Sequence, residues 1–167
     1  MLPQVGDDLE PVKIRLASQT DLKGIYLIED ESFSEPYPHR LIANLLRDCP
    51  TSFFVAECPA GTIVGYCVAV EKGRGTHLIS IGVLRECRRR GVGTALIRGL
   101  LANLSPRVKE LRLEVKQSNR EAIKLYEEMG FKTVDSVENY YEDGSAAIKM
   151  LLTIAEAHTK PSRSTGK

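Results

Sequence analysis

The chain has 167 residues, and 23 lysines and arginines against 22 aspartates and glutamates leave a net charge of +1. That length suits one domain with its own core, and the charge balance excludes the broad basic face that nucleic acid or an anionic membrane calls for. Four cysteines with no Cys-x-x-Cys pair, and three histidines with no ligand spacing to them, point to no metal site.

Residues 1–11 are polar and acidic and are expected to be flexible. Val12 to Leu16 alternates as a strand. Ser18 or Thr20 caps a helix whose stripe is Leu22, Ile25, Ile28 and Phe33. Ser34 to Pro38 breaks it, and a second helix carries Leu41, Leu45 and Leu46. Ser52–Cys58 and Thr62–Glu71 form a hairpin around Pro59-Ala60-Gly61. After a loop over Lys72–Gly75, Leu78 to Leu84 reads as a buried strand begun at His77, followed by a glycine turn and a helix from Thr94 to about Leu104. Leu111–Lys116 is a strand, and Ser118 or Asn119 caps a helix stopped by Gly130. Phe131–Glu138 and Ala146–Thr153 close the pattern, and 154–167 reads as a disordered tail. The order predicts an α/β fold with a mixed sheet and helices on both faces. No apolar run reaches the ~18 residues of a membrane span and no secretory leader is visible. A cytoplasmic protein is expected, and a monomer by default.

The stretch Arg88-Arg89-Arg90-Gly91-Val92-Gly93-Thr94 lies between strand and helix. Two glycines free the backbone to turn, and the helix start behind them offers unpaired N–H donors and partial positive charge. Such a place suits a phosphate or pyrophosphate. It lacks the third glycine of a dinucleotide fingerprint and the lysine of an ATPase phosphate loop.

One helix later comes Leu113-x-Val115-x-x-Ser118-Asn119-x-x-Ala122-Ile123-x-Leu125-Tyr126-x-x-x-Gly130-Phe131, and then Tyr140-Tyr141 before the last strand. With the arginine-glycine turn, this pattern resembles the GNAT acetyltransferases, and within them the N-terminal protein acetyltransferases of archaea, eukaryotes and the bacterial ribosomal type. The resemblance covers about 12–153. It implies a mostly antiparallel seven-stranded sheet split between the fourth and fifth strands, with acetyl-CoA in the gap and no metal. Ile81, Gly82 and Val83 would meet the pantetheine arm, Arg88 to Thr94 the pyrophosphate, and Asn119 and Tyr126 the arm and thioester.

Glu114 stands at the position of the family's general base. Read from the residues alone, it is equally a surface carboxylate paired with Arg112 or Lys116. His77 matches a histidine that related archaeal enzymes place near the substrate amine; otherwise it is a structural residue. Tyr126 is either a core aromatic or the donor to the departing thiolate. Glu35 and Tyr37 in one loop, and Tyr140 and Tyr141 in another, would flank the mouth where a peptide end enters. No cysteine sits in these motifs, and Cys87 reads as packed rather than nucleophilic.

The implied activity is direct transfer of an acetyl group from acetyl-CoA to the α-amino group of a protein, without nucleic acid or membrane as partner. An acceptor lysine or small amine remains an alternative, as does an acetyl-CoA-binding module without turnover. The preferred first residue, an auxiliary subunit and ribosome association stay open.

Overall fold

Seven strands and four α-helices form in the computed structural model, which describes residues 11–154. The strands are β1 (Lys13–Leu16), β2 (Phe53–Glu57), β3 (Ile63–Lys72), β4 (Gly75–Val83), β5 (Glu110–Lys116), β6 (Lys132–Val137) and β7 (Ala147–Thr153). The helices are α1 (Leu22–Ser32), α2 (His39–Asp48), α3 (Val92–Asn103) and α4 (Arg120–Glu128). The sheet order is β1-β2-β3-β4-β5-β7-β6. β4 and β5 run parallel, and the pairs β1–β2, β2–β3, β5–β7 and β6–β7 are antiparallel. This is the mixed, mostly antiparallel sheet the sequence led us to expect. The expected N-terminal segment and tail lie outside the described residues, apart from Pro11 and Ile154. Ile154 is buried and donates its N–H to the Lys109 carbonyl at 2.8 Å.

The described residues group into two compact units. One holds the chain as far as Val70 together with Leu78–Ser105; the other holds Glu71–His77 and the chain from Pro106 onward.

In the first unit, α1 opens behind a turn of 3-10 helix at Gln19–Asp21. The Asp21 carboxylate accepts the Ser18 N–H at 2.7 Å and two bonds from the Arg15 guanidinium at 2.8 Å each. Ile25 and Ile28 are fully buried as the stripe predicts, whereas Phe33, at the helix's C-terminal cap, is exposed. The stripe of α2 differs: Ile42 and Leu46 are buried, while Leu41 is exposed. Helices cover both faces of this part of the sheet. Neighbouring strand residues point to opposite sides, and Tyr66 meets Glu29 of α1 whereas a Cβ at Gly65 would meet Leu96 and Val92 of α3.

β4 corrects the sequence reading twice. It begins at Gly75, two residues before His77. Its burial alternates, with Thr76, Leu78, Ser80 and Gly82 inward, so the branched residues Ile79, Ile81 and Val83 are only half-buried. The small inward residues leave room for Tyr66, as the close approach at Gly82 shows.

In the second unit, Leu111, Leu113 and Val115 of β5 are buried, and Glu110, Arg112, Glu114 and Lys116 take the other face. Three parallel pairs join β4 to β5: Gly75–Glu110, Thr76–Leu111 and His77–Arg112. The Asn119 side chain caps α4 by accepting the Ala122 N–H at 3.1 Å. Tyr126 and Phe131 pack ring to ring at 5.6 Å. β6 ends the sheet, and its pairing with β7 slips by one residue between Thr133 and Asp135.

Candidate active site

The glycine turn of the first unit has the backbone form that suits an anion. Gly91 adopts φ +80°, a left-handed conformation that L side chains rarely take, and it is the residue preceding the first turn of α3. The helix therefore begins at Val92, two residues earlier than Thr94. Its first backbone bond joins the Ala95 N–H to the Gly91 carbonyl at 2.9 Å. The N–H groups of Val92, Gly93 and Thr94 lie ahead of that bond, where a helix supplies no internal acceptor. The first turn contains no acidic residue to repel an anion.

The three arginines are not equivalent. Arg89 and Arg90 are exposed, and Arg89 itself lies at φ +62°. Arg88 turns its side chain inward: Nε donates to the Val83 carbonyl at 2.9 Å and Nη2 to Ser32 Oγ at 3.3 Å. Its guanidinium ties the end of α1 to the end of β4 and so braces the turn. Cys87, just before it, is fully buried, and burial pushes its thiol up.

In the loop between α1 and α2, Ser34 through Pro38 are exposed, Glu35 and Tyr37 among them. The Tyr37 N–H is bound at 2.7 Å by the buried carboxylate of Glu29, a residue the sequence reading passed over.

The second unit holds His77, Glu114 and Tyr126, the expected acid–base groups. His77 Nε2 contacts Glu114 Oε2 in a close ion-pair geometry. A carboxylate only accepts, so the contact requires the proton on Nε2. The ladder explains the meeting: His77 pairs with Arg112, and Glu114 lies two residues on, along the same face of β5. The competing partners are engaged elsewhere. Arg112 bonds Glu110 at 2.7 Å, and Lys116 bonds Asp143 at 2.8 Å. The surface-carboxylate alternative for Glu114 thus loses both the partners it named.

Tyr140 feels the charge of Glu114. Burial first, then the negative charge of Glu114, pushes its phenol above the ordinary range. Its ring stands edge-on to Tyr141 at 5.0 Å, and the N–H groups of both tyrosines reach the Ser145 carbonyl, at 3.1 and 3.2 Å. Lys116 Nζ sits 5.0 Å from the centre of the Tyr141 ring, so the Lys116–Asp143 pair also holds this loop. Lys116 entered the sequence reading only as a partner for Glu114; its role against the loop depends on folding. Tyr126 is buried in this unit, and the carbonyl of Asn119 is committed to its cap, leaving the amide nitrogen outside that bond.

The comparisons with known proteins bear on the family. The model of the acetyltransferase (GNAT) family matches residues 22–131. An N-acetyltransferase of Methanocaldococcus jannaschii is 40% identical over 145 residues, spanning 83% of this chain and 89% of that protein. The N-alpha-acetyltransferase of Sulfurisphaera tokodaii is 36% identical over 155 residues, spanning 83% and 90%. The crystal structure of Ard1 from Thermoplasma volcanium superposes with a TM-score of 0.81 at 34% identity, covering 86% of this chain and 98% of that one. The expected mixed, mostly antiparallel seven-stranded sheet and these likenesses lead to one conclusion: the chain belongs to the GNAT family of acetyltransferases.

Proposed function

We propose that this protein is an N-alpha-acetyltransferase that moves an acetyl group from acetyl-CoA to the α-amino group at a protein's N-terminus. The observation that carries the reading is the 36% identity to an archaeal N-alpha-acetyltransferase across 90% of that enzyme's length.

Acetyl-CoA supplies a thioester open to attack by an amine. The residues present fit its diphosphate. The N–H groups of Val92, Gly93 and Thr94 follow a left-handed Gly91, where an added Cβ would meet nothing within 4 Å. Arg89 and Arg90 add positive charge. Ile81, Gly82 and Val83 offer backbone to the pantetheine arm, and the Asn119 amide offers a donor.

The acceptor arrives as an ammonium whose pKa lies near ~8, and only the free amine attacks. Glu114 takes that proton, held in place by the Nε2–H of His77. Tyr126 is the donor for the departing sulfur. Of the first unit Glu35 and Tyr37, and of the second Tyr140 and Tyr141, are the residues we assign to the acceptor by the family resemblance. With both reactants held together, attack becomes effectively unimolecular, and no cysteine of this chain is needed as a carrier.

The test uses peptides with free N-termini, the same peptides with blocked N-termini and an internal lysine, and simple polyamines. Mass spectrometry should find one added acetyl group on the free N-termini alone. Glu114→Gln should lower kcat by roughly 10²–10⁴-fold while leaving acetyl-CoA affinity in place. Acetylation confined to lysine or polyamine would overturn the substrate, and full turnover by Glu114→Gln would overturn the base.

A further inference from the structure

Glu29 is the most enclosed carboxylate among the described residues, with 1% of its surface exposed. The reaction above does not use it. Its Oε1 accepts the Tyr37 N–H at 2.7 Å, and its Oε2 accepts the hydroxyl of Tyr66. Tyr66 is fully buried on β3 and lies 2.8 Å from Ser80 Oγ on β4. A phenol has one proton, so with that proton on Glu29 the Ser80 hydroxyl is the donor to Tyr66. A continuous chain of hydrogen bonds thus runs from β4, one residue before Ile81, through β3 and α1 to the backbone of the loop between α1 and α2.

The same residue grips that loop at two points. The Phe33 N–H bonds the Glu29 carbonyl at 3.2 Å, and the Tyr37 N–H bonds its carboxylate. The residues between include Glu35, and Ser34 to Pro36 are exposed. Burying a carboxylate against neutral donors is costly, and an apolar residue on this face of α1 would pack at lower cost. What a carboxylate adds is two strong acceptors reaching from a rigid helix to a loop backbone.

We propose that Glu29 is a positioning residue for the acceptor: its carboxylate fixes the backbone at Tyr37, and with it Glu35 and Tyr37, in the conformation that receives a peptide N-terminus. The inference rests on the acceptor role given to that loop above. Glu29 touches no substrate; it sets where the residues that do are held.

The test compares the wild type, Glu29→Leu and Glu29→Gln in steady-state acetylation of an N-terminal peptide, with amide hydrogen exchange at Tyr37. Glu29→Leu should raise the peptide KM roughly tenfold, the loss of one charge-assisted bond, with the acetyl-CoA KM unchanged and the Tyr37 amide unprotected. Glu29→Gln keeps an acceptor for that N–H, since its NH2 can donate to Tyr66 instead, and it should restore the wild-type KM. A Glu29→Leu enzyme that melts lower but keeps the wild-type peptide KM overturns the proposal, as does a Gln variant as defective as Leu. If Glu29→Leu does not fold, the wild type and the Gln variant decide. A protected Tyr37 amide and a wild-type peptide KM in both support the proposal, and an unprotected Tyr37 amide in the wild type overturns it. Failure of the wild type to acetylate any peptide would instead strike the N-alpha-acetyltransferase reading.

Discussion

Replacing Gly82 with alanine adds one methyl group at the most crowded point of β4. A Cβ there would stand 2.9 Å from Ile28 Cγ2, 3.1 Å from Tyr66 Cε1 and 3.4 Å from Ser32 Oγ. Carbon atoms rest about 3.5–4.0 Å apart, so two neighbours must move. Ile28 is fully buried, and Tyr66 is tethered through its hydroxyl to Glu29 and Ser80, so neither has open space to retreat into. Overpacking of this kind costs about 1–3 kcal/mol, while alanine recovers about 0.4–1 kcal/mol by restricting the unfolded chain. The net centres on a loss of about 1.3 kcal/mol, and for a chain of this size that lowers Tm by about 3–5 °C. Thermal melts followed by far-UV circular dichroism read it directly. Gly75→Ala on the same strand is the control: the nearest atom to its Cβ would be the Lys72 carbonyl oxygen at 3.8 Å, an ordinary contact. Gly75→Ala should melt with the wild type or slightly above. A Gly82→Ala protein as stable as Gly75→Ala would refute the packing described around Tyr66.

Two further outcomes are expected. The Arg15 guanidinium holds the Asp21 carboxyl below its usual range against the opposing effect of burial. Its folded pKa thus lies under its unfolded one, and its stabilisation is complete above about pH 4 and fades as pH falls below that. Asp21→Asn should therefore melt below the wild type at neutral pH, with a gap that narrows in acid; a gap independent of pH in paired melts would contradict the ion pair. Burial pushes the Cys67 thiol up to about 12 and raises that of Cys87, and both are fully buried. Alkylation at neutral pH should leave acetyl transfer intact, and the appearance of an acetylated cysteine during turnover would defeat direct transfer.

The glycine turn, the α4 cap and the strand order were legible because each rests on local chemistry. Gly91 serves a backbone angle, Asn119 an orphan amide, and alternating residues a buried face. What the sequence left open depends on register or on which face a polar residue occupies. Glu114 had three basic residues within reach in principle, and only the pairing of His77 with Arg112 selects His77. Glu29 was passed over because a carboxylate reads as solvent-facing, although its spacing of four from Ile25 places it on the buried stripe of α1. Gly73 and Gly75 read as a loop, yet Gly75, Thr76 and His77 supply the three residues that pair with β5. Arg88 looked like its two neighbours, and only its contacts with Val83 and Ser32 set it apart.

The one-residue slip in β6 bears on what the open rim of the sheet can pair with. An outermost strand offers a row of open amides and carbonyls on which a foreign chain can zip. Here the extra residue is Val134, half of whose surface (52%) faces water, and Lys132 and Asp135 stand close by. The kink spoils the even spacing that a would-be neighbour needs, and the charges penalise its approach. A greasy side chain can then remain on the rim of the sheet without turning it into a seed for aggregates.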